Sequence, residues 1–358
     1  MIVRFGFVAM SMMLQNASVS RTMTYQQFSR LADRGAALRK LERIALENLE
    51  HSLRLLKHCV AHDVQVYRFS SKLIPLATHG ELNDWDPYPA LEEAFAKVGA
   101  YVREKKLRVS FHPDHFCVLN TPRPEVLESS VRDLEYHVRM LEAMGLGERT
   151  AKCNIHVGGA YGDKEAAGER FVRQFAELNE RYKGRITLEN DDKTFTAEET
   201  LAIAELSGVP MVLDIHHHAV NDGGLSQNAV VRELWPRIAR TWETGGGSLS
   251  GGPAAESLPP KIHASSPRSE KDMRSHADLL EPGHLLRFLQ EIAGSVPRID
   301  VMLEAKQKDA ALFQLMDELR KRERDGGFRV VDGAPSKFDC LASIESNAVK
   351  LLAAGLFL

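Results

Sequence analysis

The chain has 358 residues, with 46 Lys and Arg against 49 Asp and Glu, a formal net charge of −3. Hydrophobic residues at 44% and charged residues at 27% are ordinary globular composition, which excludes a disordered or collagen-like chain. The small acidic excess excludes a uniformly basic nucleic-acid coat protein, yet leaves room for a local cationic face, because only clustered charge binds phosphate.

The opening run Ile2–Val8 predicts a buried first strand. The stretch Phe5–Leu14 resembles a signal-peptide core, but only Arg4 precedes it and no convincing small-x-small cleavage site follows, which argues against a signal peptide. Strand candidates follow in order at Val3–Phe7, Val64–Phe69, Arg108–Phe111, Cys153–His156, Ile186–Glu189, Met211–Asp214, Lys261–Ala264 and Ile299–Leu303. Between the first two, Leu38, Leu41, Ala45, Leu49, Leu53, Leu56 and Val60 recur at three or four residues, the spacing of one apolar helix face. Further helices are predicted over Pro89–Glu104, Pro124–Met144, Glu165–Tyr182, Thr196–Leu206, Gln227–Trp242, Pro282–Ala293 and Asp309–Arg322. Thr196 and Glu199 have the spacing of a capping box, and Gly208 stands where that helix should stop.

Eight strands alternating with eight helices predict an α/β fold, a single (β/α)8 TIM barrel over residues 1–324. No GxGxxG opens the first helix, so no nucleotide cofactor is expected. Gly245–Pro260, rich in Gly, Ser and Pro, reads as a flexible surface loop. Residues 325–358 form a C-terminal extension in which Ile344–Leu352 has the makings of a packed helix. No apolar run reaches the roughly 18 residues of a membrane helix, so no membrane partner is expected. Cys59, Cys117, Cys153 and Cys340 are scattered without a CxxC pair, which predicts a reducing, cytoplasmic setting with neither a disulfide framework nor a thiolate zinc site.

Barrel active sites lie at the C-terminal ends of the strands. Those ends, for the last six strands, carry His112, His156, Glu189, Asp214, His263 and Glu304. His numbers only 14 and Asp plus Glu 49 in the chain. Six hits in a row therefore have a chance of roughly 1%, even with about three choices of end position per strand. Imidazoles and carboxylates converging in one mouth are costly without a partner, and divalent cations are the partner that suits both. Asp214 and His217 form a D-x-x-H pair on the turn leaving the sixth strand. Lys261 and His263, two apart, face the same side, and an inward lysine needs either a neutral or modified amine or an ion pair. Of His216, His217 and His218, one or two serve as loop caps or supports rather than ligands. His115 alone reads as a loop residue, Asp191 and Asp192 as capping or solvated acids, and His51, His58 and His62 as structural. Arg268 and Lys271, after His263, are candidate phosphate contacts.

The strings SFHPDHF (Ser110–Phe116), NIHVGGAYGDK (Asn154–Lys164), LEND (Leu188–Asp191), LDIHHHAVN (Leu213–Asn221), KIHASSP (Lys261–Pro267) and VMLEAK (Val301–Lys306) occur in this order, each at a predicted strand end. Together they make the chain resemble the UV damage endonucleases, barrel enzymes related in plan to endonuclease IV, from Val3 to Leu312. The resemblance implies a DNA-repair enzyme that nicks the phosphodiester bond immediately 5′ of a UV photoproduct, leaving a 3′-hydroxyl and a 5′-phosphate. Cyclobutane dimers, 6-4 photoproducts and some abasic sites are the implied substrates. It also implies up to three divalent ions, Mn2+ foremost and Zn2+, Co2+ or Mg2+ as alternatives. The matching ligand positions are His79, His112, His156, Glu189, Asp214, His217, His263, His276 and Glu304, with His79 and His276 on loops. Glu189 would bridge, with Glu304 and Asp214 completing the charge. His112 and His156 would hold one ion, His217 and His276 another. The family's carboxylated lysine falls on Lys261, which joins Glu189 and Glu304 as a catalytic candidate. The implied partner is UV-damaged double-stranded DNA, met by a monomer at the bacterial nucleoid.

The chain also departs from the family. A Gln-Tyr probe of the duplex becomes His115-Phe116, which keeps an aromatic wedge and changes the hydrogen-bonding partner. A Tyr and an Asn near the first strand become Phe7 and Ser11, so lesion contacts through a phenol hydroxyl or an amide do not carry over. A metal-dependent sugar isomerase or epimerase on a similar barrel is the enzymatic alternative, and a damage-binding protein with a structural metal is the non-enzymatic one.

Overall fold

Eight parallel strands close on themselves in the computed structural model, which describes residues 1–114, 116–147, 150–244, 258–323, 328–331 and 348–351. They are β1 (Ile2–Val8), β2 (Val66–Arg68), β3 (Arg108–Phe111), β4 (Lys152–His156), β5 (Ile186–Glu189), β6 (Met211–Asp214) and β7 (Lys261–Ala264), each beside the next. An antiparallel hairpin, β8 (Pro267–Ser269) and β9 (Asp272–His276), stands outside the barrel. The last barrel strand, β10 (Arg298–Leu303), pairs with β7 and then with β1, from Ile2 opposite Arg298 to Phe7 opposite Leu303, which completes the ring.

Local chemistry accounts for the helices. Asp33 caps Arg34–Ala61 through Gly35 and Ala36 N–H, and its buried face is the predicted stripe of Leu41, Ala45, Leu49 and Leu56. Thr196 and Glu199 form a complete capping box on Ala197–Ser207, and Gly208 ends it at φ 66°, a left-handed conformation that suits glycine. Prolines stand in the first turn of Tyr88–Glu104, Pro124–Ala143 and Pro282–Glu291. Two predicted helices are interrupted. Glu165–Tyr182 breaks into Lys164–Ala176 and Glu180–Lys183, because the Asn179 side chain caps a new start at Arg181 N–H. Gln227–Trp242 contains a π turn at Val230–Leu234 before continuing as Trp235–Thr244. The final helix is Lys308–Arg322.

Strand alternation sorts the side chains into two layers. Odd-numbered residues of β1 face the helices: Val3, Phe5 and Phe7 are buried, and the Phe7 ring meets Tyr67 edge-on at 5.7 Å. Each such side chain contributes roughly 1.5–3 kcal/mol of burial. The inward layer is unusually polar. Arg4 donates two hydrogen bonds to Asp300 at 2.7 and 2.8 Å, and Arg108 donates a third at 2.6 Å, which makes a buried ion triad across the barrel. Lys261 lies in the same layer and donates to Ser110 Oγ at 3.1 Å. At Gly6 an added Cβ would fall 2.2 Å from the Val66 carbonyl oxygen, so β1 and β2 approach closely only because this residue has no side chain.

In the extension, β11 (Phe328–Val331) and β12 (Ala348–Leu351) pair antiparallel, and β12 continues onto the start of β1 with Val349 opposite Val3. Ala348–Leu351 is thus a strand and not part of the expected helix over Ile344–Leu352. The lower half of β1, which β2 leaves unpaired, offers backbone partners there that a helix would forgo. The rest of that expected helix, most of the Gly245–Pro260 loop, Cys340 and His115 lie outside the described residues. Cys59, Cys117 and Cys153 are free and buried. Among the described residues no helix is long and apolar enough to cross a membrane.

Candidate metal centre

The polar layer ends, at the C-terminal rim, in a cluster built around Glu189. Its Oε1 lies 3.0 Å from His263 Nδ1 and 3.5 Å from His217 Nδ1, and its Oε2 lies 3.2 Å from His112 Nε2. Three sets of side chains each place their donor atoms within 4.8 Å of one another: His112, His156 and Glu189; Glu189, Asp214 and His217; Glu189, His263 and Glu304. Glu189 belongs to all three. His156 Nδ1 lies 3.2 Å from the Glu189 carbonyl oxygen, and the His112 and His156 rings are 5.2 Å apart. His276, at the end of β9, lies 2.8 Å from the Glu304 carbonyl oxygen and 3.9 Å from Glu304 Oε2, with its ring 6.1 Å from that of His217. Four imidazoles, two glutamates and a capping aspartate therefore share one small volume, with His276 at its edge.

The electrostatics are set by buried acids and imidazoles held against one another. Burial alone would raise the Glu189 carboxyl, but His263 and His156, with hydrogen bonds from His112 and His263, take it well below the usual carboxylate range. Glu304 behaves alike: burial raises it, and Arg68 and His263 outweigh burial. Burial would lower His263, yet Glu189 and Glu304 lift it to about 9. His217 also reaches about 9, since Asp214 and Glu189 overcome its burial. Protons on these two rings balance the charge of the buried acids beside them. Asp214 Oδ1 caps the helix Ile215–Val220 through His216 and His217 N–H, while its enclosed Oδ2 faces His217 Nδ1 at 3.7 Å and accepts no hydrogen bond from the described residues. An enclosed carboxylate oxygen without a donor is expensive, and a divalent ion would satisfy it. The donor set of nitrogen and carboxylate oxygen, with no thiolate among these three sets, fits Mn2+ or Zn2+.

A model of the family described as UV-endonuclease UvdE matches residues 3–329. The chain belongs to that family. The UV DNA damage endonuclease of Bacillus pumilus is 41% identical over 327 residues, covering 90% of this chain and 97% of that one. The crystal structure of SacUVDE superposes with a TM-score of 0.74 at 27% identity, covering 89% and 98% of the two chains. Endonuclease IV from Thermus thermophilus shares the barrel, with a TM-score of 0.50 at 16% identity over 89% of this chain and 99% of that one. Family membership makes the chain an enzyme.

Of the residues singled out from the family pattern, His79 stands apart from the three donor sets. It caps a short turn at Gly80–Leu82 and stacks on Tyr25 with ring centroids 4.2 Å apart. His276 is not on a loop, as expected, but ends a strand of the hairpin. Phe7 is fully buried in the outward layer, so it presents no surface to a lesion. The Ser11 hydroxyl is bound to Asp309. Phe116 is 73% exposed. Arg268 and Lys271 are exposed on the hairpin, where Arg268 pairs with Asp272.

Two supporting residues, both asparagines, escaped the sequence reading. Asn154, two residues below His156 on the same strand face, donates to Glu189 Oε2 and accepts from Thr187 Oγ1 at 2.8 Å. Asn190 accepts from Asp214 N–H at 2.9 Å, and its carbonyl oxygen lies 3.0 Å from His217 Nδ1. His216 joins Ser265 Oγ to the Met273 carbonyl oxygen, which ties the hairpin to the barrel. Strand parity pointed to Asn154, and adjacency to Glu189 pointed to Asn190. A search confined to His, Asp and Glu passes over both amides.

Proposed function

We propose that this enzyme hydrolyses the phosphodiester bond immediately 5′ of UV photoproducts in double-stranded DNA, cyclobutane dimers and 6-4 photoproducts foremost and abasic sites as well. The products would be a 3′-hydroxyl and a 5′-phosphate. The observation that carries this reading is the convergence of three donor sets on the single carboxylate of Glu189, in a chain of the UV-endonuclease family. A cavity of about 460 Å3 beside the cluster, lined by Arg68, Lys72, His112, His156 and Glu304, supplies room and positive charge for a backbone phosphate.

His112, His156, Glu189, Asp214, His217, His263, His276 and Glu304 would hold up to three divalent ions, Mn2+ foremost. When bound, such ions lower the pKa of a water nucleophile, neutralise the non-bridging oxygens and stabilise the leaving 3′-oxygen. The chain's own residues prepare that centre. Arg68 keeps Glu304 ionised and oriented through a hydrogen bond to its Oε1. Asn154 fixes the Glu189 carboxylate in the plane that faces His112 and His263. Asn190 holds the Asp214 backbone and the His217 ring in one arrangement, so little reorganises when the ions arrive.

Lys261 is the proposed carboxylation site. Burial and the Arg108 guanidinium depress its ammonium form strongly, which favours the neutral amine. Carbon dioxide adds to that nitrogen, one N–H proton leaves, and the N–C bond formed yields a carbamate anion. Arg108 and Arg68 supply the positive surroundings that such an anion requires.

The test is a nicking assay on a duplex with one defined photoproduct, using metal-stripped enzyme with separate additions of Mn2+, Mg2+, Zn2+ and Co2+. Cleavage only with added metal, at the bond 5′ of the lesion, is expected. Loaded enzyme that leaves the damaged duplex intact, or that cuts undamaged duplex equally, overturns the reading. Turnover of ketoses without nicking would favour the sugar-isomerase alternative.

A further inference from the structure

The barrel has a second mouth, at the N-terminal ends of its strands, and a cavity of about 360 Å3 opens there. Arg108 and Arg298 begin β3 and β10, and Arg4 lies near the start of β1. His112, His156 and Glu304 stand at or just beyond the opposite ends of β3, β4 and β10, so this cavity lies across the barrel from the metal cluster. Among the described residues every charged side chain that lines it is a cation: Arg4, Arg103, Lys106, Arg108 and Arg298, in a chain whose net charge is −3. Their neighbour Asp300 is already shared, accepting from Arg4 at 2.7 and 2.8 Å and from Arg108 at 2.6 Å. One carboxylate between two buried guanidiniums leaves positive charge over.

Two of these cations carry marks of a binding site. Arg108 is buried, and its Nη1 donates to Asp300 and to the Pro259 carbonyl oxygen at 2.7 Å. Its Nη2 is enclosed and has no hydrogen-bond partner, with the Trp242 ring centroid 4.9 Å from Cζ. An enclosed charged donor without an acceptor is costly, and a bound anion removes that cost. Lys106 is the other. It follows the helix Tyr88–Glu104, where its N–H donates to the Arg103 carbonyl oxygen at 3.2 Å and Leu107 N–H donates to that of Val102 at 3.0 Å. This is the glycine position of a Schellman motif, and Lys106 occupies it at φ 52°. A lysine there gives up stability that glycine would keep, and what it adds is an ammonium on the cavity wall.

Guanidinium forks match phosphate oxygens two at a time, and an ammonium adds a point charge. Much of the remaining wall is apolar, with Val102, Leu107, Leu146 and Leu258. Converging charges in an apolar cavity of this size suit a small molecule. We propose that the cavity binds the phosphate group of a small molecule, inorganic phosphate or a mononucleotide, with Arg108 and Lys106 among its donors. The site is separate from the one read as cutting DNA, and it stands or falls independently of that reading. No bond is made or broken there.

The test is calorimetric titration and thermal unfolding of the metal-loaded full chain, freed of excess metal, with inorganic phosphate, thymidine 5′-monophosphate and thymidine. Wild type should bind both phosphate compounds and unfold at a higher temperature in their presence, while thymidine should do neither. Lys106→Gly should bind the phosphate compounds roughly tenfold more weakly. Without ligand it should unfold at least as high as wild type, because glycine relaxes the left-handed turn. Lys106→Arg should bind as wild type does. Tighter binding of the monophosphate than of phosphate assigns the apolar wall to a base, and equal affinities assign the site to phosphate itself. Failure of both compounds to bind wild type, or equal binding by wild type and Lys106→Gly, overturns the proposal.

Discussion

Replacing Glu189 by Gln removes one charge and no volume from the point where the three donor sets meet. In the ion-free protein the substitution takes away the carboxylate 3.0 Å from His263 Nδ1, while Glu304 Oε1 remains at 3.0 Å. The His263 ring, lifted to about 9 by the two acids together, should therefore titrate lower, and its burial pulls in the same direction. In the loaded protein, a buried ionic set that loses one member is weakened by about 3–5 kcal/mol. At 1.4 kcal/mol per factor of ten, that is two to four orders of magnitude in metal affinity. Metal-stripped Glu189→Gln should consequently bind Mn2+ far more weakly than wild type, measured by titration and elemental analysis. Nicking of irradiated plasmid at a fixed low Mn2+ concentration should fall with it. Circular dichroism should stay near wild type. Full metal content with full nicking in Glu189→Gln would refute the bridging role and the magnitude worked from it.

Metal affinity should rise with pH. His217 and His263 sit at about 9 without ions and must lose protons to become ligands, so affinity climbs up to about pH 9 and flattens above. In the ion-free protein these raised values contribute stability that is complete below the ordinary imidazole value of 6.5 and fades as pH rises through about 9. A metal affinity independent of pH across that window would contradict both shifts. Asp300→Asn leaves Arg4 and Arg108 facing each other inside the barrel and should lower the unfolding midpoint by roughly 5–10 °C. A change under about 2 °C counts against the triad. Phe116→Ala should weaken discrimination between damaged and intact duplex more than it alters metal loading, and equal nicking selectivity in mutant and wild type would count against its role as a wedge.

The barrel was legible because each of its strands is a short apolar run and each long helix carries a stripe or a cap. All eight strands lie within two residues of their expected ends. What escaped was chemically mute to that reading. The helix Ile215–Val220 is built from IHHHAV, too short and too polar to show a stripe, and its cap is Asp214, one of the candidate ligands. The hairpin of β8 and β9 reads PRSEKDMRSH from end to end, polar on both faces, so no alternation announces it. For the site, six strand ends pointed to the cluster directly, while His217 and His276 needed the D-x-x-H pair and the family resemblance. Phe7 was misleading for a reason already present in the sequence: if Arg4 faces inward, Phe7, three residues on in the same strand, faces the helices. The extension could not be read at all from periodicity, because Ala348–Leu351 takes its conformation from the unpaired edge of β1, hundreds of residues away.

The ring of strands is sealed by its two extremes, the first strand bonding to the last from Ile2 through Phe7. Glu304, one residue beyond that seam, follows every other member of the three donor sets along the chain. The candidate metal centre is thus completed by the same stretch of chain that seals the ring.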